Sequence, residues 1–203
     1  MVDAALALAD QEGLDALTMP ALAKRLDCGV MTIYGYVEDK DDLLSAISQR
    51  GLRDLRLSEP VPDDVEGILV HWGRALRRLL IDHPSLAVVF LSQAVVGPGI
   101  FRGVERLLGR LGHAGMSPSA GVHAIYAVVI YATGFVAWEL PRTRQQPQSR
   151  YAMDWRRAFA ALPPEDFRLT AGVLDELARV AGDEQFEIGL RALAFGLTGA
   201  HPA

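Results

Sequence analysis

From Leu111 to Trp138 no residue carries a formal charge. Few features constrain a fold more. A stretch this long without Asp, Glu, Lys or Arg has to be surrounded by apolar groups, either lipid or the rest of the protein. Its inner part, Ala120 to Trp138, is almost wholly apolar and reaches the roughly 18–20 residues that cross a bilayer. His123, Tyr126, Tyr131 and Thr133 interrupt it, and it lacks the flanking Lys/Arg cluster that marks an inside-facing end. The expectation is therefore a buried helix from Ser117 to Leu140, in a soluble core or at a dimer interface, and no membrane partner.

The segments around it also repeat with helical period. Asp63–Asp82 places Val65, Leu69, Trp72, Leu76 and Leu79 on one face, and Pro84–Gln93 is apolar. After a break at Gly97-Pro98-Gly99, Ile100–Leu111 alternates apolar and Arg positions. Pro141–Arg150, polar and rich in Gln and Arg, reads as a loop. Tyr151–Leu162, Pro164–Ala181 and Asp183–Gly199 read as helices. No run shows strand alternation and none repeats at a fixed period, so the fold class is all-α. Ser58-Glu59-Pro60-Val61-Pro62 is the clearest boundary, because neither proline can continue a helix. It divides the chain into residues 1–57 and a larger helical domain, 58–203.

Half of the 203 residues are hydrophobic, enough apolar surface to offset chain entropy. Cys28 is the only cysteine. An intramolecular disulfide is impossible and a reducing cytoplasm is expected. The first residues carry no basic stretch, so no secretory leader is expected. The net charge of −5 offers no bulk attraction to polyanions. A nucleic-acid argument has to rest on local arrangement.

That arrangement lies in residues 1–57. Val2–Glu12 has helical spacing and ends at Gly13, a candidate left-handed cap. Thr18 is placed to cap a second helix running to about Leu26, with Pro20 tolerated in its first turn. Asp27-Cys28-Gly29 forms a turn in which Gly29 relieves the tight corner. A third helix runs from Val30 to about Val37. Asp39 caps a fourth that continues through Leu44, Ile47 and Leu55. Two short helices joined by a three-residue turn are a helix-turn-helix, whose second helix fits the major groove. Cys28, Ile33 and Val37 face the core; Val30, Met31, Thr32, Gly35 and Tyr36 face outward. Thr32 and Tyr34 offer hydroxyls to phosphate oxygens, and Lys40 adds a charge where a phosphate could also meet backbone amides.

The stretches Leu17-Thr18-Met19-Pro20-Ala21-Leu22-Ala23-Lys24-Arg25-Leu26, Thr32-Ile33-Tyr34-Gly35-Tyr36-Val37 and Lys40-Asp41-Asp42-Leu43-Leu44 together resemble the tetracycline-repressor-like (TetR) family of transcriptional regulators. The resemblance implies an obligate homodimer, one three-helix head per subunit reading a half-site of double-stranded operator DNA, and a larger domain that binds a small effector. It implies phosphate or base contacts at Thr32, Tyr34, Tyr36 and Lys40. With Thr18, Val30, Met31 and Gly35, these are the candidate DNA-binding residues. The chain departs from the family pattern where Met19 and Pro20 replace polar or basic residues. Val30, Met31 and Gly35 leave apolar contact with thymine methyls as the main base readout. Residues 1–57 hold six Lys/Arg against ten Asp/Glu, a balance of −4. A phosphate-driven affinity is therefore expected to be modest and dependent on dimer avidity.

In the larger domain, Trp72, Phe90, Phe101, His123, Tyr126, Tyr131, Trp138 and Trp155 are the candidate effector-binding residues. His123 and Tyr126, three apart on one helix face, make the best pair. Ala132, Phe186, Leu190, Leu193, Ala194 and Leu197 are the candidate dimer interface, two helices from each subunit forming a four-helix bundle. None of the five histidines has metal-ligand spacing, and no Gly-rich phosphate loop follows a strand. No cofactor, metal or enzymatic activity is expected. The reading is a ligand-responsive regulator, a repressor released from a palindromic operator. The acidic head leaves one alternative open, a helical protein–protein interaction module with a vestigial DNA-binding head.

Overall fold

A computed structural model describes residues 1–55, 60, 62–92, 96–144, 148–179 and 182–200. Among the described residues there are twelve α-helices, one 3-10 turn and no strand. The expected boundary at Ser58–Pro62 lies largely outside the described residues.

Four helices form the head. α1 (Val2–Glu12) stops at Gly13, whose φ of 90° needs glycine. Its ψ of 162° makes the exit extended, not the left-handed hook expected. α2 (Met19–Arg25) begins as predicted, with the Thr18 hydroxyl accepting the Ala21 N–H at 3.2 Å. The following corner differs. Asp27, not Gly29, takes the left-handed conformation, with φ at 51°, a region that Asp tolerates better than most residues. Gly29 is extended and serves as the N-cap of α3.

α3 is only Val30–Tyr34, shorter than the expected Val30–Val37. Gly35 ends it, and the Tyr36 N–H turns back to Ile33 O at 2.9 Å, tightening the last turn. α4 (Lys40–Asp54) starts with a reciprocal cap. Asp39 accepts the Asp42 N–H at 2.8 Å, while Asp42 accepts the Glu38 N–H at 3.1 Å. Leu6, Leu17, Leu22, Ile33, Leu43 and Ile47 are buried together at the centre of the head.

The larger domain contains α5 (Val65–Asp82), α6 (Pro84–Ser92), α7 (Pro98–His113), α8 (Pro118–Arg144) and α9 (Gln148–Phe159). A 3-10 turn, α10 (Arg168–Gly172), α11 (Leu174–Leu177) and α12 (Asp183–Ala200) follow. α8 contains the uncharged stretch and carries charge only toward its C-terminal end, at Glu139, Arg142 and Arg144. It is long and apolar enough to cross a membrane, but it packs against α5, α6, α7 and α12 as the core of the bundle. α5 comes close because residue 73 is glycine. A Cβ there would lie 2.6 Å from Leu190 and 3.1 Å from Val128.

Two expectations fail here. α8 runs through Pro141 to Arg144 instead of stopping at Leu140, and α9 begins at Gln148, so most of the expected 141–150 loop is helical; residues 145–147 lie outside the described set. The Arg142 guanidinium donates to Trp138 O and the Thr143 hydroxyl to Glu139 O at 3.1 Å, supplying side-chain donors around the proline. The expected helix over Pro164–Ala181 is broken into short pieces. Gly172 and the β-branched Val173, a poor pair for propagating a helix, separate α10 from α11.

Candidate nucleic-acid interface and sensor domain

The α2–α3 unit buries Leu22, Ala23, Ile33 and Val37 and turns the intervening side chains outward. Met31 is 80% exposed and Tyr36 74% exposed. Thr18, Thr32, Tyr34, Gly35 and Lys40 are exposed as well. Val30 differs from the expectation: it is half-buried and packs against the head core. Cys28 is half-buried. From Cys28 to Val37 there is no amide, acidic or basic side chain, so this surface can offer only hydroxyls, methyls and aromatic rings.

Lys40 is placed by a hydrogen bond from Nζ to Leu14 O at 2.9 Å, which ties the start of α4 to the α1–α2 connector. Two of its three donors remain for a ligand. The expected anion site on the amides of α4 is corrected. The Asp39 and Asp42 carboxylates already accept N–H groups there, so an incoming phosphate would meet negative charge.

The eight effector candidates do not converge. Trp72, Phe90 and Tyr131 are half-buried against the core. Tyr131 stacks on Phe186 with centroids 5.3 Å apart, and its hydroxyl donates to Phe186 O at 3.0 Å. Burial pushes its phenol above the ordinary tyrosine range. Phe101, His123 and Tyr126 are exposed, so the pair on α8 lies on the outside of the bundle. Trp138 and Trp155 are each more than a third exposed. Trp138 lies under the Arg142 guanidinium, 4.0 Å from the ring centroid, and Trp155 lies near Tyr151, ring centroids 6.3 Å apart.

The dimer candidates are corrected more sharply. Ala132, Phe186, Leu190 and Ala194 are buried in the subunit's own core, and Leu193 and Leu197 are half-buried against it. A helix apolar on every side has two faces to cover, and one is covered from within the subunit. The opposite faces are bare. Tyr126, Ile130 and Trp138 on α8, and Ile188 and Phe195 on α12, are exposed, and the two helices are neighbours.

The structure holds a buried charge centre that the sequence patterns did not reveal. Arg77 on α5 donates to both Glu139 oxygens on α8, at 2.9 and 3.0 Å, and to Asp183 on α12 at 2.6 Å. Its guanidinium also sits 4.8 Å from the Phe186 centroid. The signal was available. Arg77 falls at the spacing of Leu69, Gly73, Leu76 and Leu80, and Glu139 at the spacing of Ala132 and Val136. Nearby, Arg74 pairs with Glu187, and that hydrogen bond holds the Glu187 carboxyl below the usual carboxylate range, with Arg191 adding to it.

Two family models match the chain. The model for bacterial regulatory proteins of the tetR family covers residues 1–47, and the tetracyclin repressor-like C-terminal domain covers residues 59–200. The chain belongs to the TetR family. An HTH-type transcriptional repressor of Mycobacterium tuberculosis is 32% identical over 155 residues, 73% of this chain and 59% of that protein. The match spans about three-fifths of that relative's length. The HTH-type transcriptional repressor DrrR1 of Streptomyces coeruleorubidus is 28% identical over 214 residues, covering 97% of this chain and 75% of the relative. The crystal structure of the Streptomyces coelicolor TetR family protein ActR in complex with actinorhodin has a TM-score of 0.87 at 25% identity, over 99% of this chain and 94% of that one. In this TetR family chain the first model covers α1 to α3 and the start of α4, and the second covers α5 to α12. The alternative of an interaction module with a vestigial head is not favoured by these likenesses.

Proposed function

We propose that the chain is a cytoplasmic, non-enzymatic, homodimeric transcriptional repressor, released from a palindromic operator by a small hydrophobic effector. Residues 1–57 bind DNA and residues 58–203 dimerise and bind the effector. The observation that carries this reading is the α2–α3 unit, with Met31, Tyr34 and Tyr36 exposed over a buried Ile33 and Val37, in a chain whose matched relatives include named repressors. A second copy would cover the bare faces of α8 and α12, setting two α3 helices toward successive major grooves about 34 Å apart. An effector that prefers another dimer geometry would shift the population away from that spacing. Trp72, Phe90 and Tyr131, the half-buried aromatics, are the retained pocket candidates.

Binding to DNA upstream of the chain's own gene, followed by fluorescence anisotropy, tests this. Binding should fall steeply as salt rises, and Tyr36→Ala should weaken it about tenfold through a lost positioning contact. Absence of binding at low salt would sink the reading. Compounds that raise the melting temperature should also release the operator.

Base readout should depend on methyl groups. With no amide or charged side chain on α3, Met31 has only the thymine C5-methyl to recognise in the major groove. A buried methyl contributes about 0.8 kcal/mol. Uracil for thymine should therefore cost about fourfold per half-site, and about fifteenfold in both, by the usual conversion. A 5-methylcytosine pair at the same position keeps the methyl and should retain more affinity than cytosine. Met31→Ala should abolish the thymine–uracil difference; equal affinities in wild type would refute methyl readout.

A further inference from the structure

The head meets the larger domain at contacts of two kinds. On α4 they are mostly steric. A Cβ on Gly51 would collide with Leu86 of α6, and a Cβ on Gly97 would lie 2.5 Å from the Gln49 side chain. Among the described residues a weak hydrogen bond also runs from the Ser45 hydroxyl to Val96 O, at 3.4 Å. The steric contacts keep α4 close to α6 and α7 without directional bonds.

On α1 the contact is directional. Asp10 Oδ1 accepts the Ser85 hydroxyl at 2.6 Å and the Ser85 N–H at 3.1 Å, and Oδ2 lies 2.7 Å from His83 Nδ1. His83 is the C-cap of α5 and Ser85 lies in the first turn of α6. One head carboxylate thus holds the corner where two helices of the sensor domain meet. Ser85 is buried and Asp10 is largely shielded, so the two bonds to Ser85 form where water competes poorly, while the His83 bond borders solvent. Beside them, Leu6, Ala7, Arg50 and His83 line an open cleft of about 310 Å³.

We propose that Asp10 is a positioning residue that fixes the angle of the head on the larger domain, and thereby the half-site spacing the dimer accepts. The inference rests on the operator-binding reading above. With the carboxylate in place, α1 cannot rotate without breaking three bonds to the α5–α6 corner. Without it, α4 stays packed but the head samples a range of angles. Only a fraction of those angles matches the operator, and apparent affinity falls by that fraction.

The test uses the full chain and a palindromic operator selected from random DNA by the wild-type protein. A second DNA carries two extra base pairs between the half-sites, which rotates one half-site by about 70°. Wild type should prefer the native spacing by about thirtyfold or more. Asp10→Ala should bind the native operator about tenfold more weakly and narrow the preference to about threefold, by the same population argument. Its affinity for non-specific DNA should be unchanged. Asp10→Asn should fall between. A His83→Ala/Ser85→Ala variant should reproduce Asp10→Ala, and the triple variant should add nothing further. Leu111→Ala, which opens the core of the larger domain, controls for lost stability and should keep the full spacing preference. The proposal is overturned if Asp10→Ala discriminates spacing as well as wild type, or if Leu111→Ala loses discrimination equally. A wild type that binds no selected DNA overturns the operator-binding reading and this proposal with it, whereas a binding wild type and an unaltered Asp10→Ala overturn this proposal alone.

Discussion

Phe195→Glu is expected to yield a folded monomer with operator affinity reduced more than a hundredfold. Phe195 is 70% exposed on α12, and Ile130 is 68% exposed on the neighbouring α8. Ile188, Ala192, Phe195 and Gly199 recur at one helical face. Isolated exposed apolar residues need no explanation, but several large ones on two adjacent helices do. In a two-fold symmetric dimer each substitution occurs twice. Losing a buried aromatic costs about 3 kcal/mol, so two copies cost about 6 kcal/mol before the expense of burying a carboxylate. That weakens dimerisation by about four orders of magnitude. In the proposed complex a monomer would offer one head to one half-site and forfeit the avidity of two.

The neighbouring residue supplies the contrast. Ala194 is wholly buried in the subunit, so Ala194→Glu should unfold the chain. Sedimentation and circular dichroism separate the two outcomes: monomeric and helical for Phe195→Glu, unfolded for Ala194→Glu. If Phe195→Glu remained dimeric at micromolar concentration and held its operator, the outward faces of α8 and α12 would not be the interface.

That contrast also marks where the sequence stopped being informative. The ends of α2 and α4 were legible because they are local: Thr18 and Asp39 cap amides three residues away. The all-α class was legible because helical period runs almost throughout the chain. The inward face of α8 was not, since Ala132 and Ile130 look alike until a partner helix chooses between them. The same limit hid the charge centre. Arg77 lies 62 residues from Glu139, and only packing brings them together. Asp10 and His83 are 73 residues apart, and nothing local to either residue points to the other. Asp27 and Pro141 show the converse failure. There a local rule was sound, but tertiary context placed the left-handed turn and the helix end elsewhere.

Arg77→Ala should produce the largest loss of stability of any single charge deletion in the larger domain. Glu139 is buried beside Arg77. Removing the cation leaves that carboxylate without its partner in a poorly solvated site, a change that typically costs about 3–5 kcal/mol. The Asp183 arm contributes little of this, because Asp183 is 93% exposed and solvent screens the pair. The guanidinium stacked over Phe186 adds about 1 kcal/mol. For a chain of this size each kcal/mol lowers the melting temperature by about 2–4 °C, so a fall of about 10 °C or more is expected. Arg77→Lys should rescue only part, since an ammonium cannot span both carboxylates as a planar fork does. The double variant Arg77→Met/Glu139→Leu should recover most of the loss. It removes the stranded charge together with its partner, and the pair already carries a cost in the buried Arg77 Nε, which has no hydrogen-bond partner. If Arg77→Ala melts within about 2 °C of wild type, below the shift expected for 1 kcal/mol, the pair is solvated in solution and does not hold α5, α8 and α12 together. If the loss is as large as expected, operator affinity should fall with it, because in the proposed dimer the helices that Arg77 joins include α8 and α12, whose outer faces would pair the two heads.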